Sequence, residues 1–321
     1  MRAMLRLIAL AAVAACCAAP ALADTYPSRV VKIIVPFGAG GPADVYARVL
    51  AKYLSDETGQ SFVVEDRPGA GSLIGTDAVA KSAPDGYTLL LMSNTHTTNE
   101  SLIPNKPFQL MRDFVAVAAI NYSDLIMVVH PSVPANNVAE FIALAQKEPG
   151  KLNYASSGPG TPYHMAGELF KAMSKTDIVH VPHRASGDAR NSVLAGTVQM
   201  MFDAVTTMTA LAKDGKVKAL ATTGLKRNPL TPDLPTVAET VPGYEATIWL
   251  GLMAPKGTPP DVVSFLNKAV NKAIALPEVK ETWLKQGAIP MPMSPPEFEA
   301  YLKKDIDKWA DVVKVSGATV R

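Results

Sequence analysis

The sequence predicts an α/β protein made of two α/β domains, and three observations support that prediction. A nearly continuous apolar, β-branched run at 30–35 leads into a glycine turn at 38–41 and then into a helix start at Pro42. The same succession of strand, glycine turn and helix recurs at 152–173. A chain of 321 residues is long enough for two ordinary domains, so each glycine turn is assigned to its own domain.

The first domain begins with alternating strands and helices. Apolar residues at helical spacing follow the first glycine turn, and Gly59 ends that helix. A strand at 62–64, a second glycine turn at 67–71 and a helix through 80 lead to a strand at 87–92. This βαβαβ order predicts a parallel sheet, and we expect a polar loop at 93–99 at its ligand-binding carboxyl edge.

The chain is expected to cross between the two domains twice. Strand-like runs at 114–120 and 125–129 are separated by the polar stretch 121–124. Further strands and long helices follow Gly243, which indicates a return to the first domain. The crossings near 121–124 and 243–247 would form a hinge. The predicted division is residues 1–23 as a leader, 24–123 plus 247–321 as domain 1, and 124–246 as domain 2.

The N-terminus has the pattern of a secretory signal. Arg2 and Arg6 precede an apolar run at 7–15, and the small residues at 21–23 fit an A-x-A cleavage site. We therefore expect residues 1–23 to be removed and the working protein to lie in the periplasm. The alternative is cleavage before Cys16, which would leave an acylated cysteine and a protein tethered to the membrane.

Composition argues against several kinds of partner and site. Both cysteines, Cys16 and Cys17, lie in the predicted leader, so the mature chain would have neither disulfides nor cysteine metal ligands. Loss of Arg2 and Arg6 would reduce the formal charge of +2 to zero, which does not favour a nucleic-acid partner. After the leader, no apolar run approaches the roughly 20 residues of a membrane span.

The glycine turn at 38–41 has the chemistry of an anion site. Glycines let the backbone approach a ligand, and the N–H groups at the following helix start are donors to an anion. The turn also fits the loose dinucleotide pattern GxGxxG/A, with Glu65 and Asp66 near the place of a ribose-binding acid. A third interpretation is a strand-to-helix turn that binds nothing.

Metal and catalytic sites have weak support. His180 and His183 would point to opposite faces of a strand, so they are not expected to share a metal ion. The sequence contains no GxSxG elbow, and we expect neither a cofactor nor a catalytic activity. A secreted α/β enzyme, of the hydrolase type, is the alternative class.

Several long segments together resemble one known family, the extracytoplasmic solute receptors of tripartite tricarboxylate transporters, also called the Bug family. They are VPFGAGGPAD, EDRPGAGSLIGTDAVAKSAPDGYTLL, YASSGPGTPYHMAGELF, HVPHRASGDA, MFDAV, GKVKALATTG and PDLPTVAE. The resemblance implies a periplasmic-binding-protein-like fold, with two α/β domains, two hinge crossings and a cleft that closes on a small carboxylate. It also implies a monomeric receptor that delivers this ligand to the transporter's membrane subunits.

The resemblance also implies a set of ligand-binding positions. In the first domain these are Phe37, Gly38, Ala39 and Gly40, with Ser93, Asn94 and Thr95 after the third strand. In the second domain they are Ser156, Ser157, Gly158, Thr161, His164 and Asp203. Capping of the helix that begins near Thr161 is the alternative role for the three hydroxyls, and packing is the alternative for His164.

One segment departs from the family pattern. Members usually have Tyr-Lys-Gly after HVP, whereas this chain has His183-Arg184-Ala185, with Asp188 and Arg190 further on. Arg184 is offered as an additional ligand contact, and a solvated surface arginine is the alternative. This departure leaves open which carboxylate is bound: an aliphatic di- or tricarboxylate, an acidic amino acid or an aromatic carboxylate.

Overall fold

A computed structural model describes residues 26–183, 185–316 and 318, so the predicted leader lies outside the described residues. Those residues form ten strands and eleven α-helices, with short 3-10 helices at Ala70–Ser72 and Val237–Glu239. The strands are β1 (Val31–Val35), β2 (Phe62–Asp66), β3 (Thr88–Ser93), β4 (Phe114–Val129), β5 (Asn153–Ser156), β6 (Val179–Pro182), β7 (Met200–Ala204), β8 (Lys218–Thr222), β9 (Thr247–Pro255) and β10 (Ala288–Pro290). The helices are α1 (Pro42–Thr58), α2 (Leu73–Ala80), α3 (Asn94–Leu102), α4 (Leu110–Asp113), α5 (Val138–Lys147), α6 (Pro162–Ser174), α7 (Ser186–Leu194), α8 (Val205–Lys213), α9 (Pro260–Ala275), α10 (Pro277–Lys285) and α11 (Pro295–Ser316). None of these helices is both long and apolar enough to cross a membrane.

The strands form a mixed sheet in the order β2, β1, β3, β9, β4, β7, β5 and β6, and β8 and β10 also pair with β4. Strand β1 is parallel to β2 and β3, as the βαβαβ order predicted. Strand β5 is parallel to β6 and β7 in the same way. The α/β fold class is confirmed, and antiparallel β9 and β4 connect its two parallel parts.

Strand β4 is 16 residues long and runs through both halves of the sheet. Its residues 114–124 pair with β9, and from Leu125 onward it pairs with β7 and β8. We predicted two strands separated by a polar break at 121–124, and that prediction is wrong. The backbone ladder continues through Asn121 and Asp124, which lie opposite Leu250 and Thr247 of β9. Ladder pairing therefore keeps a polar stretch extended.

Each half of the sheet has its own apolar core. Strand β1 is buried on both faces, since Ile33 packs towards α1 and α9 while Ile34 packs towards the opposite layer. In the second half, Phe170, Phe202 and Tyr244 pack ring to ring with centroids 6.0 to 6.2 Å apart. Burial of such large apolar side chains is the main term that stabilises each half.

The C-terminal helix α11 packs against both cores. Phe298 lies in the first half against Trp249, while Trp309 and Val312 lie in the core of the second half. The helix therefore links the two halves in addition to β4 and the start of β9. The domain boundaries and the two-crossing hinge stay predictions, and α11 is a third connection that they did not include.

A buried carboxylate lies in α11 between its two packed segments. Asp305 accepts hydrogen bonds from the Thr97 hydroxyl at 2.6 Å and from the Trp249 indole at 3.2 Å. Burial raises the pKa of Asp305, and these hydrogen bonds oppose that rise. The contact joins α11 to α3 and β9, both of which reach the cavity described next.

Candidate ligand-binding site

A cavity of about 440 Å³ lies where the two halves of the sheet meet. Five α-helices begin at its wall, because the N-cap residues of α1, α2, α3, α6 and α8 all line it. These N-caps are Gly41, Ser72, Ser93, Thr161 and Ala204. The first N–H groups of a helix have no partner inside that helix and carry partial positive charge. The cavity wall is therefore suited to a negatively charged ligand.

Only some residues of the first glycine turn and its flanks line the cavity. Phe37 and Gly38 line it, whereas Ala39 and Gly40 are not among the lining residues. The Gly40 N–H donates to the carboxylate of Asp44 at 2.8 Å, so this donor is already used inside the protein. Asp44 is itself buried in the first turn of α1.

The residues after the third strand begin a helix. We expected a polar loop at 93–99, and that prediction is wrong because Ser93 caps α3. Its Oγ accepts from the Thr95 N–H at 3.2 Å, and its own N–H donates to Nδ1 of His96 at 3.1 Å. Ser93 and Thr95 line the cavity, and the buried Asn94 donates its side-chain amide to the Thr247 carbonyl at 3.2 Å. Ser93, Asn94 and Thr95 thus lie at the start of α3, which the Asn94 hydrogen bond holds against β9.

The glycine turn at 156–161, in the second half, contributes Ser157 and Thr161 to the cavity wall. Thr161 Oγ1 accepts from the His164 N–H at 3.4 Å and donates to the Gly158 carbonyl at 2.7 Å. Capping, the alternative role for this hydroxyl, is therefore present, and the same residue also lines the cavity. Among the described residues, the Ser157 hydroxyl makes no hydrogen bond.

Ser156 and Gly158 lie behind this wall. Ser156 has no exposed surface, its Oγ is 2.6 Å from Nε2 of His180, and it accepts from the Gly158 N–H at 3.1 Å. A serine beside a histidine is also the arrangement of a nucleophile and its base. A fully buried hydroxyl has no access to a substrate, so this pair argues against the hydrolase alternative.

His164 is packed inside the second half, which is the alternative role named for it. It is 4 % exposed, and its ring stacks on that of His180 with centroids 4.1 Å apart, while the Tyr154 ring also stacks on His180, with centroids 4.9 Å apart. Its Nδ1 accepts from the Gly160 N–H at 3.0 Å. Burial lowers the pKa of His164 to about 4, so the ring is a neutral acceptor near pH 7.

Asp203 is buried directly before the start of α8. Its carboxylate pairs with Arg190 at 2.9 Å, and burial raises the pKa of Asp203 while Arg190 opposes the rise. The next residue, Ala204, is the N-cap of α8 and lines the cavity. Asp203 therefore supports the start of α8 without lining the cavity itself. Arg184, the additional contact expected from the sequence, lies outside the described residues.

Many lining residues were not identified from the sequence. Tyr46 and Tyr163 add aromatic walls, and Ser72 and Asn121 each place a buried side chain there with a polar atom that has no partner among the described residues. The others are Gly41, Pro42, Ala43, Gly69, Gly71, Ser123, Asp124, Leu125, Pro162, Ala204, Val205, Thr206, Ile248, Leu250, Gln286 and Gly287.

The turn at 67–71 also lines the cavity, and its glycines were the signal in the sequence that could have assigned it to the site. The sequence marked it as a glycine turn but did not assign it to the site. In the structure Ala70, Gly71 and Ser72 have φ values of 48°, 64° and 82°, a left-handed run that is unfavourable for the two non-glycine residues. This backbone conformation places the start of α2 at the cavity wall.

The described residues contain no group of His, Cys, Asp and Glu side chains that could hold a metal ion. His180 bonds to Ser156, whereas His183 Nε2 is 2.7 Å from the Ser192 hydroxyl. Two α/β halves around a cavity lined by helix starts are the arrangement expected of a solute-binding receptor.

Comparison with known proteins assigns the chain to that class. The sequence profile of the tripartite tricarboxylate transporter family receptors matches residues 46–318. The Protein BugT of Bordetella pertussis is 38 % identical over 307 residues, which are 95 % of this chain and 94 % of that protein. The chain therefore belongs to the tripartite tricarboxylate transporter receptor family, whose members are periplasmic solute-binding receptors.

Two solved structures of similar proteins contain carboxylates. R. palustris Rpa4515 with adipate has a TM-score of 0.81 at 33 % identity, covering 92 % of this chain and 99 % of that one. MatC from Rhodopseudomonas palustris with bound malate has a TM-score of 0.77 at 31 % identity, covering 90 % of this chain and 100 % of that one.

Proposed function

We propose that this chain captures a small carboxylate in the cavity and delivers it to the membrane subunits of a tripartite tricarboxylate-type transporter. The observation that carries the proposal is the convergence of five helix N-caps on one cavity. Each helix start favours negative charge by roughly 0.3 to 1 kcal/mol when exposed, and by more when it is shielded from water. The adipate and malate held by the two similar proteins agree with a ligand of this chemistry.

The proposed contacts fall into two groups according to their place in the structure. Phe37, Gly38, Ser93, Thr95, Ser157 and Thr161 line the cavity and are proposed to touch the ligand. Ala39, Gly40, Asn94, Ser156, Gly158, His164 and Asp203 are outside the lining and are proposed to hold those contacts in position. Arg184 stays a proposal from the sequence.

Calorimetry with a carboxylate panel that includes adipate and malate tests this function. A carboxylate that binds should lose its affinity when converted to its methyl ester, because the ester no longer presents an anion to the helix starts. Equal binding of acid and ester, or no binding by any carboxylate, would contradict the proposal. Turnover of the ligand would instead support the enzyme alternative.

We also propose that the mature receptor is a periplasmic monomer produced by cleavage after Ala23. Intact-mass measurement of the exported protein tests the cleavage. A mass that begins at an acylated Cys16 would replace the soluble form with a tethered one. Light scattering at working concentration would show a dimer if the monomer proposal is wrong.

A further inference from the structure

We propose that the buried His96 is a positioning residue of this receptor, which holds the starts of α2 and α3 in one fixed arrangement at the cavity wall. The inference rests on the proposed function, because it names a residue on which carboxylate binding in the same cavity depends. Three observations support it: the hydrogen bonds of both ring nitrogens, the burial of the ring, and the left-handed backbone at 70–72 that the ring helps to hold.

The His96 side chain joins the N-caps of two helices through a chain of hydrogen bonds. Its Nδ1 accepts from the N–H of Ser93, the N-cap of α3, at 3.1 Å. Its Nε2 is 2.9 Å from Oγ1 of Thr76, and that hydroxyl donates to the carbonyl of Ser72, the N-cap of α2, at 2.8 Å. Because the single hydroxyl proton of Thr76 is used at Ser72, Nε2 carries the ring proton and Nδ1 is free to accept. Both ends of the chain are residues that line the cavity.

The His96 ring acts from behind the wall. It is 1 % exposed and is not among the lining residues. Burial lowers the pKa of His96 to about 4, so the ring is neutral near pH 7 and keeps one donor and one acceptor nitrogen. The ring also packs edge to face against Phe37, another lining residue, with centroids 5.8 Å apart. His96 therefore has the place of a positioning residue and not of a ligand contact.

The backbone that His96 helps to hold has an unfavourable conformation. Ala70 and Ser72 have left-handed φ values of 48° and 82°, which cost free energy in non-glycine residues and persist only where neighbouring contacts fix them. His96 fixes the Ser72 carbonyl through the hydroxyl that lies between them. A second side chain of α3 acts in the same way, since the Asn99 amide donates to the Gly71 carbonyl at 3.0 Å. The start of α2 therefore stays at the wall because α3 holds it there.

Loss of this link should lower the affinity for a carboxylate although no ligand contact is removed. Without the hydrogen bonds of His96 the backbone at 70–72 relaxes towards ordinary φ values, and part of the unliganded protein then lacks the start of α2 at the wall. A ligand binds only the part with a complete wall, so the apparent affinity falls in proportion to that fraction. We expect a loss of about fivefold, the affinity equivalent of one hydrogen bond.

Calorimetry tests this with the carboxylate that binds the wild type most tightly in the panel that includes adipate and malate. His96→Asn keeps an acceptor near the position of Nδ1 but is too short to reach Thr76, and Thr76→Val removes the same link at nearly constant shape. Each variant should bind about fivefold more weakly. The double variant should lose much less than the product of the two separate losses, because both substitutions break one chain of hydrogen bonds.

Two further variants separate positioning from a general loss of stability. Thr258→Val removes another buried hydroxyl that donates to a carbonyl at 2.8 Å, but at a residue that does not line the cavity, and it should bind like the wild type. Ala70→Gly removes the cost of a positive φ at a residue outside the lining. Added to Thr76→Val, it should recover part of the lost affinity.

Each outcome decides one part of the proposal. If His96→Asn and Thr76→Val bind like the wild type, the positioning role is overturned while the carboxylate receptor stands. An equal loss in Thr258→Val and Thr76→Val also overturns it, since affinity would then only follow stability. Failure of Ala70→Gly to recover affinity overturns the role of the left-handed backbone. If the wild type binds no carboxylate, the receptor function fails together with this inference, and if His96→Asn does not fold, the Thr76→Val variants decide the question alone.

Discussion

His164 and His180 stack with ring centroids 4.1 Å apart and an angle of 28° between their planes, and each holds part of the glycine turn at 156–161. His164 Nδ1 accepts from the Gly160 N–H at 3.0 Å, and His180 Nε2 is 2.6 Å from Oγ of Ser156. Both contacts lie directly behind Ser157 and Thr161. The shape of one cavity wall therefore depends on a buried ring and a partly buried ring, both of which are neutral near pH 7.

We predict that this pair makes the protein less stable as the pH falls. Burial lowers the pKa of His164 to about 4 and that of His180 to about 3, against about 6.5 in an unfolded chain. Between those values the unfolded chain binds more protons, so the free energy of unfolding decreases as the pH falls through 6.5 towards 4. Lys171 adds to the shift of both rings, while Glu168 opposes it at His180.

Urea unfolding at a series of pH values measures this effect. The wild type should lose on the order of 2 kcal/mol of stability in the acid window from this pair, in addition to the loss caused by carboxylates. His164→Gln keeps an acceptor for the Gly160 N–H and should make the pH dependence shallower. His130→Gln changes a histidine outside the stack and is the control. Identical pH dependence in His164→Gln and the wild type would contradict the prediction.

Substitutions at Ser157 and Thr161 should distinguish the effect of ligand binding from that of helix capping. Both line the cavity, but only Thr161 has a structural role in α6. Ser157→Ala should weaken ligand binding by about tenfold to a hundredfold, as expected for one hydrogen bond to a charged group, with no change in stability. Thr161→Val should in addition cost about 1 kcal/mol of stability through the lost cap. Calorimetry and urea unfolding of both variants measure the two effects, and equal stability losses would refute the distinction.

Gly38 and Gly40 should respond differently to substitution. A Cβ atom at either position would meet no heavy atom within 4 Å, but only Gly40 has a positive φ, of 74°. Gly38→Leu should therefore fold normally and block the cavity, which Gly38 lines. Gly40→Ala should cost about 1 kcal/mol of stability and keep most of the affinity. Thermal unfolding with and without ligand tests both variants, and normal binding by Gly38→Leu would count against the first glycine turn as a contact.

The two halves are expected to close around the ligand. The cavity reaches solvent in this structure, and a carboxylate gains most from helix starts when water is excluded. Small-angle scattering should show a smaller radius of gyration with saturating ligand than without it. The methyl ester of the ligand, which is not expected to bind, should leave the radius of gyration unchanged. A constant radius with bound carboxylate would contradict closure, provided that the unliganded scattering matches this structure.

The sequence by itself determined those features that depend on residues close together in the chain. The β-branched run before the first glycine turn predicted β1, because a strand buried on both faces needs apolar residues at successive positions. Pro42 marked the start of α1, and Gly59 its end, where the structure has φ of 69°. The long motifs, which occur in a set order along the chain, were sufficient to identify the family.

Only the tertiary structure decided which polar groups reach the cavity. Strand β4 stays extended through 121–124 because β9, more than 120 residues later, supplies its hydrogen-bond partners. The same pairing brings Asn121 and Asp124 to the cavity beside Tyr46, whereas an ion pair with Arg190 holds Asp203 behind it. These relations depend on contacts between residues far apart in the chain. Local periodicity contains no information about them, since it records only which face of an element is apolar.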